Sequence, residues 1–358
     1  MPRTAPDGSL RDWSEIADEG WSAILLGNGL SVNLSRYFAY QSLYEEAKPR
    51  RGRGGLSDKD RAVFKAFDTT NFEVVLAKLR DAITMAEVLG RKPAPYRQRF
   101  RSVQDALGEA VRRVHLEWTE VPDETLGAIK AELRRYGAVF STSYDLILYW
   151  AIGHNDDYGL FRDCFWSNGC EFDPEDSEVR AGGRPVYYMH GALHLIVQGS
   201  GVTRKMTQED GRLLDQFGKP IKGDDEARPL LISEATAREK LRGIEGNDYL
   251  AHVYDQFKEQ DKPLAAFGHS LSEQDRHLID AINENPDRPV AISMVRRSKK
   301  HLREQQSYIW GKLHTEDVVF YDAATHPLGS AELTINAPRR RFMGRWVQVP
   351  DPAAAAAP

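Results

Sequence analysis

Cysteine is nearly absent: Cys164 and Cys170 are the only two in 358 residues. Two thiols cannot build a four-thiolate zinc site or a disulfide framework, so a reducing compartment is expected. Long apolar runs are missing as well. Nowhere do 18 apolar residues follow one another, and residues 1–20 carry charges throughout, without the apolar centre of a signal peptide. These absences predict a cytoplasmic protein that does not contact a membrane. An excess of one charge is lacking too: 48 basic against 53 acidic residues leave a net charge of −5, which gives no general reason to expect nucleic acid as partner. The local basic runs at 48–53 and 339–341 read as solvated loops or chain ends. Two nucleotide fingerprints are also wanting. Gly-x-Gly-x-x-Gly would need glycine at Val32, and no Gly-Lys-Ser/Thr loop occurs, so hydride transfer and ATP hydrolysis lose ground.

What is present is an ordinary globular composition, 41% hydrophobic and 28% charged. The most informative stretch is 21–31. Ala23, Ile24, Leu25 and Leu26 form a short apolar run without alternation, as in a parallel strand covered on both faces. Gly27-Asn28-Gly29 interrupts it, followed by Leu30 and Ser31. Glycines there permit positive φ and close backbone approach, and a following helix would aim N–H groups at an anion. An ordinary strand turn fits the same three residues.

Helical spacing then runs over 32–47, and 49–55 stop it. Further helices are expected at 58–67, 71–89, 96–118 and 123–135, with Phe72, Val75, Leu76, Leu79 and Ile83 on one stripe and Asp68 and Asp123 as caps. Residues 68–136 thus form a helical insertion between strands. The sheet resumes at 137–142, and a helix follows over 144–150. Residues 153–184 read as a folded connection, 185–189 and 194–197 as strands, 199–228 as a polar insertion and 230–233 as a brief strand. A helix at 249–260 leads to strands at 263–267, 290–295 and 318–321, separated by helices around 274–283 and 302–313. Short strands alternating with helices predict an α/β protein with a doubly wound parallel sheet. We expect a single domain over 1–345 and a disordered tail at 346–358.

In such a sheet, ligands bind at the carboxyl ends of strands. Four strands here end in polar or glycine-rich residues: Gly27-Asn28-Gly29-Leu30-Ser31, Ser141-Thr142-Ser143-Tyr144-Asp145, Met189-His190-Gly191, and Gly268-His269-Ser270-Leu271-Ser272 with Asp275 beyond. One sheet edge would hold all four.

In this order, and with a helical insertion after the first, the four stretches resemble the bacterial sirtuin-like (SIR2-like) proteins, in particular an uncharacterised branch related to antiphage effectors. That family's pattern is Gly-x-Gly-x-Ser, Thr-x-Asn-Tyr-Asp, a strand ending in His-Gly, and Gly-(Tyr/His)-Ser-(Leu/Phe)-Ser-x-x-Asp, and the resemblance spans roughly 21–325. It implies a Rossmann-like NAD-binding fold and cleavage of NAD⁺ to nicotinamide and ADP-ribose, with NAD depletion as the route to defence. It also implies a homo-oligomer or a defence-system partner protein. NAD would be substrate or ligand, with no metal. By the same resemblance, the N–H groups near Gly27, Asn28 and Gly29 hold the pyrophosphate with Ser31 as a further donor. His190 is the base, and Asp145 orients the ribose or its loop. Ser270, Ser272 and Asp275 line the adenosine side, and Thr142, Gly191, Gly268 and His269 complete the cofactor site.

Two departures stand out. The family's asparagine falls at Ser143, whose single hydroxyl cannot span the two hydrogen bonds of a carboxamide. That opens the alternative of a module that binds NAD or ADP-ribose without cleaving it. The zinc-ribbon cysteines of deacetylating sirtuins are missing, which argues against lysine deacetylation. Bland roles remain open for individual residues: Asp145 as a cap for the helix beside it, Asp275 as a first-turn acid, and His190 as a core histidine.

Overall fold

A computed structural model describes residues 6–48, 55–156, 159–167, 169–176, 182–207, 213–216, 227–232, 236–335, 339–342 and 345–348. Residues 349–358 of the expected tail, most of the basic run at 48–53 and much of the polar insertion fall outside these residues. By contrast, 346–348 and the basic run at 339–341, expected as disordered tail and as loop or chain end, lie in two paired strands.

The first strand, β1 (Ala23–Leu26), leads into α1 (Gly29–Leu34) and α2 (Tyr40–Ala47). Four helices follow: α3 (Asp58–Ala66), α4 (Phe72–Val88), α5 (Ala94–Val114) and α6 (Asp123–Leu133). The chain continues through β2 (Ala138–Ser141), α7 (Ile147–Gly153), β3 (Phe161–Arg162), β4 (Arg184–Tyr188), β5 (Gly191–Val197), β6 (Thr203–Lys205), α8 (Leu213–Gln216) and β7 (Arg228–Leu231). It closes with α9 (Ala237–Glu245), α10 (Asp248–Glu259), β8 (Leu264–Phe267), α11 (Arg276–Asn283), β9 (Val290–Met294), α12 (Lys299–Trp310), β10 (Val318–Asp322), β11 (Arg339–Phe342) and β12 (Arg345–Gln348).

Seven strands form one parallel sheet in the order β10-β9-β8-β1-β2-β4-β3. From β1 the chain winds outward to β2 and β4, then returns to β8 on the other side of β1 and winds outward again. This is a Rossmann-like α/β fold with helical insertions, and its order reverses at β1. Every residue of β1, β2, β8 and β9 is buried, which is why these strands read as largely apolar runs, interrupted only by Ser141 and Ser293. A smaller antiparallel sheet, β6-β5-β7, grows directly from the end of β4.

The helical insertion packs α4 and α3 on α5, with α2 on the same helix. The stripe Phe72, Val75, Leu76, Leu79 and Ile83 is buried as expected. Its cap is Asn71, whose side chain accepts from the Glu73 N–H, and not Asp68, which sits at φ 45°. Nor is Asp123 a cap: it occupies the first turn of α6 behind Pro122.

The helix expected over 32–47 is broken. Ser35 and Ala39 are extended, and a 3-10 turn lies between them at Arg36–Phe38. Tertiary contacts override local propensity there: Tyr37 and Phe38 are buried, and the Asn28 side-chain amide donates to the Phe38 carbonyl at 3.1 Å. Among the described residues no helix is long and apolar enough to cross a membrane.

Candidate functional site

The loops after β1 and β8 meet where the strand order reverses. Gly268, at φ 66°, lies so close to Gly29 that a Cβ on it would sit 2.7 Å from the Gly29 Cα. A Cβ on Gly27 would collide with the Gly268 carbonyl oxygen. The Gly29 N–H donates to that carbonyl at 2.9 Å, and the Gly27 N–H to the Phe267 carbonyl at 2.9 Å. Glycine is therefore required by backbone-to-backbone packing. Of the three N–H groups expected to hold a pyrophosphate, those of Gly27 and Gly29 are engaged instead by the β8 strand and loop.

Two cavities open on either side of this contact, and both are lined by Gly29, Val32, Gly268, His269 and Ser270. The larger, about 1240 Å³, spreads over the ends of β9 and β10, where Ser293, Arg296 and Asp322 reach it. The smaller, about 330 Å³, lies over β2 and β4 and is lined by Asn28, Thr142, Ser143, Asp145 and His190. Tyr40 and Glu73 close it from the helical side.

Asp145 is the hub of the smaller cavity's floor. Its Oδ2 accepts from the hydroxyls of both Ser31 and Ser143, and its Oδ1 accepts from the Ile147 N–H at 2.9 Å. That last bond starts α7 three residues later than the sequence suggested. Asp145 therefore accepts from the first N–H of α7, whose N-cap is Leu146, and ties Ser31 of α1 to Ser143 of the loop after β2. Ser31, 1% exposed, gives its hydroxyl proton to Asp145, which corrects its expected role as a phosphate donor. Behind the loop, His115 Nε2 accepts from the Leu146 N–H at 2.8 Å.

His190 is 3% exposed and follows β4. Its Nε2 lies 3.0 Å from Nε2 of His277, on the first turn of α11. Burial, with the Lys240 ammonium and His277 nearby, holds His190 well below the usual imidazole range, and burial brings His277 to about 3. Both rings are neutral at pH 7, and one donates to the other. Asp275 is bonded to the buried Lys240 ammonium at 2.6 Å, and Lys240 lies 3.6 Å from Glu73. Although burial opposes it, His269 and Lys240 hold the Asp275 carboxyl well below the usual range. Burial pushes Glu73 upward despite Lys240. Tyr40 donates to Glu73 at 3.1 Å.

Among the described residues one set of metal-ligating groups converges, His190, Asp275 and His277, with atoms within 4.8 Å of one another. Two imidazoles and a carboxylate suit a divalent transition ion. Here, however, Lys240 already supplies the positive charge beside Asp275, and a cation would also have to break the His190–His277 bond.

The remaining expected site residues divide between the two cavities, Ser272 and Gly191 apart. Asp275 lines the His190 cavity, not the larger one, while Ser270 and His269 line both. Ser272 heads the turn Glu273–Asp275 and lines neither. Gly191, at φ 77°, is demanded by β7, since a Cβ would run into the Leu230 carbonyl. Sequence reasoning missed His277, Lys240, Glu73 and Tyr40. The Asp275-x-His277 spacing was visible, but nothing local tied either residue to His190.

Over residues 24–328 the sequence matches the family described as Domain of unknown function (DUF4917). No curated protein matches it.

Proposed function

The chain belongs to the DUF4917 family, and we propose that it binds a nicotinamide dinucleotide across the β1–β8 crevice and hydrolyses the bond between nicotinamide and ribose. One observation carries the reading: two cavities share the Gly29–Gly268 contact at the reversal point of a Rossmann-like sheet, where dinucleotides straddle the strand ends. The larger cavity takes the adenosine half. The smaller takes the ribose and nicotinamide, beside His190.

As the bond from C1′ to nicotinamide breaks, its electron pair leaves with the ring and positive charge spreads onto the ribose oxygen. Water adds to C1′ and loses a proton to His190. A histidine of low pKa is a weak base, yet attack on an oxocarbenium-like centre asks little of it, because the water proton becomes strongly acidic as the new bond forms. The resemblance to sirtuin-like effectors adds the setting, a cytoplasmic enzyme that depletes NAD⁺ in antiphage defence as an oligomer or with a partner protein.

The bond from Ser143 to Asp145 favours a second reading. With its proton committed to the carboxylate, Ser143 has little left for orienting water, which suits a sensor that holds NAD or ADP-ribose intact. Calorimetry with ADP-ribose and an assay of nicotinamide release separate the two. Binding with release supports hydrolysis, binding without release supports the sensor, and no binding overturns both.

A further inference from the structure

The smaller cavity has an acidic wall that comes from outside the sheet. Glu73 sits in the first turn of α4, where the Asn71 cap fixes its backbone. Its side chain is 18% exposed and lines the same cavity as Ser143 and His190. Tyr40 donates to Oε1 at 3.1 Å, and Lys240 stands 3.6 Å from Oε2. These contacts hold the carboxylate in one orientation and leave lone pairs on both oxygens for a ligand. The other two carboxylates of the cavity are more heavily engaged: Asp145 accepts three hydrogen bonds, and Asp275 is bonded to Lys240.

We propose that Glu73 grips the hydroxyl groups of the ribose next to the scissile bond, doing from the helical insertion what Ser143 is too short and too committed to do from the sheet. A carboxylate accepts from two adjacent hydroxyls at once, which orients the sugar face that His190 addresses. The insertion is then part of the ligand site. This inference rests on the dinucleotide reading.

Calorimetric titrations of ADP-ribose and of ADP into wild type and Glu73→Gln test it, because ADP lacks the terminal ribose. The expected result is ADP-ribose binding weakened at least tenfold with ADP binding within twofold of wild type, and with partial recovery in Glu73→Asp. Equal loss for both ligands, or loss for neither, overturns the proposal. Should Glu73→Gln not fold, Tyr40→Phe decides: it removes the hydroxyl that holds the carboxylate in its orientation, so selective weakening of ADP-ribose supports the grip and unchanged binding overturns it. Wild type that binds ADP-ribose without releasing nicotinamide would end the hydrolase reading while leaving this contact intact. Wild type that binds neither ligand would end both.

Discussion

Gly29 and Gly268 face each other backbone to backbone, with the Gly29 N–H donating to the Gly268 carbonyl at 2.9 Å. The contact joins the loops that end β1 and β8, and it stands between the two cavities. Any side chain there forces the loops apart. Gly268→Ala adds backbone strain, because the residue sits at φ 66°. We expect a loss of stability of roughly 1–3 kcal/mol and loss of ADP-ribose binding, read by thermal melting and calorimetry. Normal binding in Gly268→Ala would show that the contact does not shape the ligand site.

Lys240, 1% exposed, stands between Asp275 and Glu73. Lys240→Met leaves two carboxylates facing each other in a buried site. The expected cost is about 3–5 kcal/mol, seen as a fall in Tm, and the double variant Lys240→Met/Asp275→Asn should recover much of it. An unchanged Tm in the single variant would mean that water replaces the ammonium.

His277 touches His190 through their Nε2 atoms at 3.0 Å. We expect His277→Phe to lower turnover on the order of tenfold while ADP-ribose affinity stays within about threefold, because the ring orients the base and lies behind it. Treatment with a chelator should leave turnover unchanged, since Lys240 provides the charge beside Asp275. Loss of activity on chelation, restored by a divalent ion, would instead make His190, Asp275 and His277 a metal site.

Burial drives the buried histidines His190, His194, His277 and His326 below the usual imidazole range, the last two to about 3. The unfolded chain takes up protons near pH 6.5 and the folded chain does not, so more protons bind to the unfolded state and stability falls as pH drops. Each such histidine contributes up to about 1.4 kcal/mol per pH unit between its unfolded and folded values. Tm should fall steeply between pH 7 and pH 5, and His326→Gln should flatten the slope. A Tm that holds constant over that window would contradict neutral burial.

Much of the fold was legible because parallel strands covered on both faces announce themselves as short apolar runs, and β1, β2, β8 and β9 all did so. The four strand-end stretches were legible for the same reason, since each follows such a run. What the sequence concealed was tertiary in origin. The break at Ser35–Ala39 comes from Asn28 bonding to Phe38 and from burial of Tyr37, which no local pattern encodes. Gly27 and Gly29 invited a phosphate cradle because a close-packing glycine and an anion-binding glycine look alike in one dimension. Glu73, Lys240 and His277 sit on ordinary amphipathic helices, and only the meeting of α4, α9 and α11 brings them together beside His190.

The most direct measurement is nicotinamide release from NAD⁺ by wild type and His190→Ala, with ADP-ribose binding measured on both. Hydrolysis across the crevice predicts release by wild type, a fall of at least about a hundredfold in His190→Ala, and ADP-ribose binding in both proteins. Equal rates of release in the two proteins, or a wild type that neither binds ADP-ribose nor releases nicotinamide, would contradict it.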